Sequence, residues 1–212
     1  MTALRPARAE REALADLMVQ LGPDAPTLCT GWTTRDLAAH LVVRERRPDA
    51  APGILLNPLR DRMERVRAGT ARAEPYDTLI EKLRNPPWWS MSAVAPIDVG
   101  INTAEFFVHH EDVRRAQPDW TPRELPPATE SALWSRAKAM GKLGLRRFPA
   151  TVVLHSPGYG ETKAGRGGPE VRLSGPPGEL LLFCFGRQRA AQVNVVGPDD
   201  LVDRLRTARL GL

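Results

Sequence analysis

Residues 101–116 read INTAEFFVHHEDVRRA, and this stretch decides both the helical character of the first part of the chain and the place where its chemistry lies. Glu105 and His109 stand four residues apart within an apolar run of Ile101, Phe106, Phe107, Val108 and Val113. On an α-helix such a pair is offset by only about 40°, at roughly 100° per residue, so both side chains share a face. His110 lies five residues from Glu105, a turn of about 140°, and points elsewhere. Two potential metal ligands therefore project together.

A third lies upstream, in GWTTRDLAAHLVVRERR at 31–47. Thr33 with Asp36 three residues on forms a capping-box pattern, and Trp32 with Leu37 occupies the positions of a hydrophobic staple. His40 falls in the second turn of the helix so started, between Leu37 and Leu41 on its apolar side. Alone, such a histidine is most often a satisfied core residue. A helical bundle, however, brings one ligand from one helix to an i, i+4 pair on another. Two imidazoles and a carboxylate are the donor set of an open, catalytic-type zinc site, and other divalent metals accept the same set. Zinc lowers the pKa of bound water to about 7 and deprotonates a coordinating thiol. Asp36, one turn before His40, and Asp112, three residues after His109, are candidates for orienting the ligand imidazoles.

The composition sets the frame. A chain of 212 residues with 42% hydrophobic and 26% charged residues is ordinary for a globular protein. No run approaches the roughly 18 apolar residues of a membrane span, and the charged N-terminus lacks the apolar core of a secretory signal, so a cytoplasmic protein with no membrane partner is expected. A net charge of +5 invites a nucleic-acid reading. The bases are scattered among 25 acidic residues without a basic block or a nucleic-acid motif, so no nucleic-acid partner is expected. Only four of the 30 bases are lysines, a bias that matches GC-rich coding. Cys29 and Cys184 lie outside any CxxC pattern and read as reduced, packed thiols.

Along the chain, helices are expected from about Leu4 to Leu21, from Thr33 to the residue before Pro48, around Leu59, Met63 and Val66, over Tyr76–Leu83, over the 101–116 stretch, and through about Arg146. Residues 48–57 and 85–96 carry prolines and read as connections, with Trp88 and Trp89 burying area against the helices. From Phe148 the texture becomes that of a small α+β unit. ATVVLHS is a strand, GYGETKAGRGG a turn-rich connector, EVRLSG a strand, GELLLFCFGR a buried helix, AQVNVVG a strand and PDDLVDRLRTA a closing helix. The connector is neither GxGxxG nor GxxxxGK[ST] and offers no helix N-terminus to a phosphate. His155 is either a loop-edge histidine or a contact reaching from this unit into a cleft.

GWTTRDLAAHL with His40, and NTAEFFVHHEDVRR with Glu105 and His109, resemble the two metal-ligand segments of the mycothiol-dependent maleylpyruvate isomerase family. LSGPPGELLLFCFGR and VNVVGPDDL are similar to the smaller domain of that family. The phrase TTRDLAAHLVVRERRPDAAPGI is similar to an actinobacterial subgroup described only as metal-binding proteins. The resemblance implies an α+β chain, with a DinB-like four-helix bundle at 1–147 followed by a small α+β domain at 148–212. It implies a zinc-like ion on His40, Glu105 and His109, and mycothiol as the thiol nucleophile. Isomerisation of maleylpyruvate requires groups that grip a dicarboxylate, for which Arg187 is a candidate, with His155 a further substrate-binding candidate. The expected function is thus that of a divalent-metal-binding protein that uses a small-molecule thiol, as a transferase or isomerase, on a small electrophile. The alternatives are a thiol-independent metal hydrolase and a non-catalytic metal-binding or regulatory module.

Overall fold

The computed structural model describes residues 6–46, 57–90 and 101–211, and the side chains of 57–60 fall outside that description. Residues 48–56 of the connection expected at 48–57, and 91–96 of the one expected at 85–96, therefore lie outside the described residues. The chain divides into two compact units, Met1–Pro122 and Arg123–Leu212.

The regular structure of the first unit is helical among the described residues, apart from an isolated bridge between Pro26 and Thr33. It holds α1 (Pro6–Leu21), α2 (Thr34–Arg46), α3 (Asn57–Ala73), α4 (Tyr76–Arg84) and α5 (Thr103–Arg114). The packing pairs α1 with α5 and α4, and α2 with α3 and α4. Leu14 and Met18 of α1, Leu37 and Leu41 of α2, Leu79 and Leu83 of α4, and Phe106 and Val113 of α5 form one core. The 3.6-residue spacing of Leu14, Met18 and Leu21 predicted the face that α1 buries.

α5 departs from the usual surface helix with one wet face. Of its twelve residues all but Glu105 and Arg114 are buried. Its polar side chains must therefore find partners inside the protein, since a buried polar group left without a hydrogen bond costs about 1–3 kcal/mol. His110 Nδ1 meets Glu10 Oε2 of α1 at 3.0 Å, and Glu111 accepts from Arg114 at 2.8 Å and from Arg115 at 2.6 Å.

The start of α2 follows the capping pattern in part. The Thr33 amide donates to Asp36 Oδ2 at 3.1 Å, which is the reciprocal half of a capping box. Leu28 N donates to the Asp112 carbonyl at 2.9 Å, so the loop before α2 is tied to α5.

The second unit contains α6 (Pro127–Leu145), β1 (Thr151–Ser156), β2 (Gly160–Gly165), β3 (Glu170–Ser174), α7 (Pro177–Cys184), β4 (Asn194–Val196) and α8 (Asp199–Arg206). The sheet order is β2-β1-β3-β4. β1 runs antiparallel to β2, with Thr151 opposite Gly165, and parallel to β3, with Thr151 opposite Glu170. β3 is antiparallel to β4, with Leu173 opposite Val195. Val152, Val153 and Leu154 are buried consecutively, as befits a central strand covered on both faces. α6 packs on α7, β1 and β2.

Three features differ from the sequence reading. The connector expected at 157–168 contains a strand, β2, whose residues GETKAG lack the β-branched run by which strands are recognised. Its pairing with β1 makes the strand. Trp88 is 87% exposed and Trp89 48% exposed, against the expectation that the pair buries its area. α6, which the sequence reading places before a boundary at 147/148, packs within the Arg123–Leu212 unit. The overall class is α+β, as expected.

Candidate metal centre

α2 and α5 bring His40, Glu105 and His109 together, with one ligand atom from each lying within 4.8 Å of the others. His109 Nε2 is 3.4 Å and His40 Nε2 is 3.7 Å from the same oxygen, Glu105 Oε1. Ligands about 2.0–2.1 Å from a tetrahedral ion stand about 3.3–3.4 Å from one another, close to the 3.4 and 3.7 Å separations here. The two imidazoles meet edge to face at 5.3 Å. Donor types and spacing both fit a divalent ion.

The surroundings fix this arrangement. The Nδ1 of His109 donates to Asp112 Oδ2 at 3.0 Å, which turns Nε2 toward Glu105. Cys29 Sγ donates to the same Asp112 oxygen at 3.2 Å. Arg44, one turn after His40 on α2, places Nε 3.4 Å from Glu105 Oε1. Its two terminal nitrogens are held by Glu45 at 2.9 Å and by Asn102 at 2.7 Å. Trp32 lies tilted at 45° beside His40, ring centroids 5.2 Å apart, and the guanidinium of Arg67 lies 4.7 Å over the Trp32 indole.

The electrostatics follow from burial and partners. Burial alone would raise the Glu105 carboxyl, but hydrogen bonds from His109 and His40 and the charge of Arg44 hold it well below the usual carboxylate range. For His109, burial works against the charged ring, and Asp112, Cys29 and Glu105 overcome it, so its pKa stands well above the ordinary value. His40 has a weaker set of partners. Burial dominates there and lowers its pKa despite the hydrogen bond to Glu105. In the metal-free chain burial and these partners together favour the charged form of His109, between two carboxylates, and the neutral form of His40.

Among the described residues a second group, Cys29, His109 and Asp112, also meets the spacing of ligands. It shares His109 with the first. Its short contacts, 3.0 and 3.2 Å onto one oxygen, are those of a hydrogen-bonded cluster. The first group, with its longer separations and two Nε2 atoms facing one carboxylate, suits an ion better.

The other residues singled out in the sequence lie as follows. Asp36 accepts from the Thr33 amide and from Arg67, and binds neither imidazole. Burial pushes its carboxyl up, and Thr33 with Arg67 more than compensates, so its pKa falls below the usual value. Its expected role toward His40 is therefore replaced by capping α2 and anchoring Arg67. His110 turns away from the cluster, as the helical geometry required, and pairs with Glu10. His155 lies inside β1, opposite Glu161 and Ser174, rather than at a loop edge. Arg187 belongs to the second unit and donates to the Phe185 carbonyl at 2.7 Å. Cys184 is fully packed, and burial pushes its thiol up to about 12. Arg44 escaped the sequence reading, and so did the contact of Cys29, read there only as a packed thiol, with Asp112. Arg44 carries a usable signal, its i, i+4 relation to His40, whereas Cys29 is 83 residues from Asp112 and has none.

No family model and no curated protein matches the sequence. Solved structures do: a mycothiol-dependent maleylpyruvate isomerase, and the same enzyme with a histidine replaced by alanine. Each shares 16% identity with this chain over 90% of both chains, with a TM-score of 0.51. At that identity the likeness speaks for architecture, and the chain has the DinB-like, α+β fold of the mycothiol-dependent maleylpyruvate isomerase.

Proposed function

We propose that this protein is a thiol-dependent metalloenzyme, a transferase or isomerase, in which His40, Glu105 and His109 hold a divalent ion, with zinc the first choice for this donor set. The observation that carries the reading is the convergence of two Nε2 atoms on one Glu105 oxygen, at 3.4 and 3.7 Å, with Asp112 behind His109. When bound, such an ion supplies a Lewis acid with an open position, which favours the thiolate of a small thiol at neutral pH.

The protein's own groups then have defined tasks. Glu105 offsets the charge of the ion, and Arg44 restrains the carboxylate from the side. Asp112 keeps the Nδ1 proton on His109 and so leaves Nε2 free as a ligand. Trp32 packs beside His40 and restricts access of water to that ligand from its side. The solved structures that share the fold are of a mycothiol-dependent enzyme, which makes mycothiol the thiol of choice and a small electrophile its target.

The test is metal analysis of purified protein followed by cobalt substitution and titration with mycothiol. A stoichiometric ion, lost in His40→Ala, Glu105→Ala and His109→Ala, with a thiolate-to-cobalt absorption band on adding mycothiol, is the expected result. Protein that takes up no ion, or that keeps it in all three variants, overturns the site. An ion without any thiol response overturns the thiol chemistry and leaves water activation in its place.

A further inference from the structure

Within the second unit, Arg147, Arg204 and Arg209 line one cavity of about 280 Å³. Arg147 follows the end of α6, Arg204 sits in the last turn of α8, and Arg209 lies in the C-terminal tail. Pro149 and Leu210 add accessible apolar lining, over the buried Leu145 and Phe148. Among the described residues none of these three arginines is engaged in an ion pair. Elsewhere in the chain arginines are commonly matched, as Arg84 is by Glu12 and Asp16 and Arg67 by Asp36 and Glu64. Cations gathered round a concavity without counter-charges repel one another and focus a field that draws in an anion.

The wall that carries Arg209 is built. Gly186 (φ +87°) and Gly211 (φ +92°) pass so close that a Cβ on Gly186 would lie 2.7 Å from the Leu210 carbonyl oxygen, and one on Gly211 would lie 2.8 Å from that of Phe185. Both therefore need glycine, for conformation and for space. Gln188 Nε2 adds a hydrogen bond to the Ala208 carbonyl at 2.6 Å. The tail is thus seated on the loop after α7, and Arg209 is held in the cavity wall.

We propose that this cavity binds the oxyanion group, phosphate or carboxylate, of a small molecule whose apolar part rests on Pro149 and Leu210. Guanidinium forks match both groups. The volume lies at the low end of the roughly 300–1,000 Å³ of small-molecule sites, which suits a single small anion.

The test is a titration of the full chain, labelled with ¹⁵N, with pyrophosphate and separately with citrate at low salt. Saturable shifts confined to residues 144–149 and 204–210 with either anion support the site, and the anion that responds identifies phosphate or carboxylate. The double variant Arg204→Gln/Arg209→Gln, at exposed positions, should weaken binding at least about tenfold while its spectrum stays folded. Arg147→Gln is the single-site check, with a smaller loss expected. No saturable shift with either anion up to about 10 mM overturns the proposal, as does equal affinity in the double variant. A response only to a duplex oligonucleotide, spread over arginines throughout the chain, also overturns it. Both anions also chelate divalent ions, so shifts at His40, Glu105 and His109 report on the metal centre and do not count for this cavity.

Discussion

Asp112 Oδ2 lies 3.0 Å from His109 Nδ1, and that contact determines which nitrogen of His109 faces Glu105. Substituting Asp112 by Asn keeps the shape but removes the charge that fixes the ring's tautomer. A 10- to 100-fold loss of metal affinity is expected, about the effect seen when such outer partners are removed. Chelator competition measures it, and an unchanged affinity would show that Asp112 merely fills space.

Proton release upon metal binding follows from the charge states of the ligands. His109, with its raised pKa, enters the reaction protonated at neutral pH, whereas Glu105 and His40 enter without a proton to lose. Binding of a divalent ion should therefore release about one proton per ion. Calorimetric titrations in buffers of different ionisation enthalpy give the number directly, and a value of zero or two contradicts these assignments.

The same shifts set the pH response of the metal-free chain. The folded-state pKa of His109 is above its ordinary 6.5, so its contribution to stability is complete below 6.5 and is lost as pH rises through the folded value. Glu105 is depressed below 4.5, so its contribution is present above 4.5 and is lost as pH falls through the folded value. His40, lowered from 6.5, works against folding as pH falls below 6.5. Urea midpoints of metal-free protein across pH should show the alkaline loss in the parent chain and not in His109→Gln.

His110 serves the fold alone. Glu10→Ala leaves a buried imidazole without its 3.0 Å partner, at a cost of about 1–3 kcal/mol. The variant should unfold at lower urea and bind metal with parental affinity when folded. Impaired metal binding in the folded variant would place the Glu10–His110 pair in the centre instead.

Phe106 is fully buried, with the Arg11 guanidinium 4.6 Å over its ring. Phe106→Ala should cost about 3–5 kcal/mol through cavity formation, measured by denaturant unfolding. Phe106→Leu, which refills most of the volume, should recover much of that loss.

Much of the centre was legible because it depends on local rules. The four-residue step from Glu105 to His109 and the exclusion of His110 follow from helix geometry alone. The Thr33–Asp36 pattern located the helix of His40. What depends on long-range packing was not legible. Nothing in the apolar positions Leu133, Trp134, Ala137 and Met140 of α6 says whether they meet other helices or a sheet. GETKAG becomes a strand only because β1 offers it a ladder. Asp36 has a capping role in the sequence, but its second partner, Arg67, comes from another helix and cannot be inferred from spacing. The same holds for Cys29, which meets Asp112 only after the loop at 24–33 has docked.

The near-complete enclosure of α5 has an evolutionary consequence. A helix with so few wet positions leaves little room for drift, because most substitutions that alter the chemistry there also weaken the fold. Variation at the site would accumulate instead in the loop before α2 and on α3, whose Trp32 meets His40 and whose Arg67 lies over Trp32. Relatives that share the fold should then keep a nearly fixed α5 and vary most around that rim.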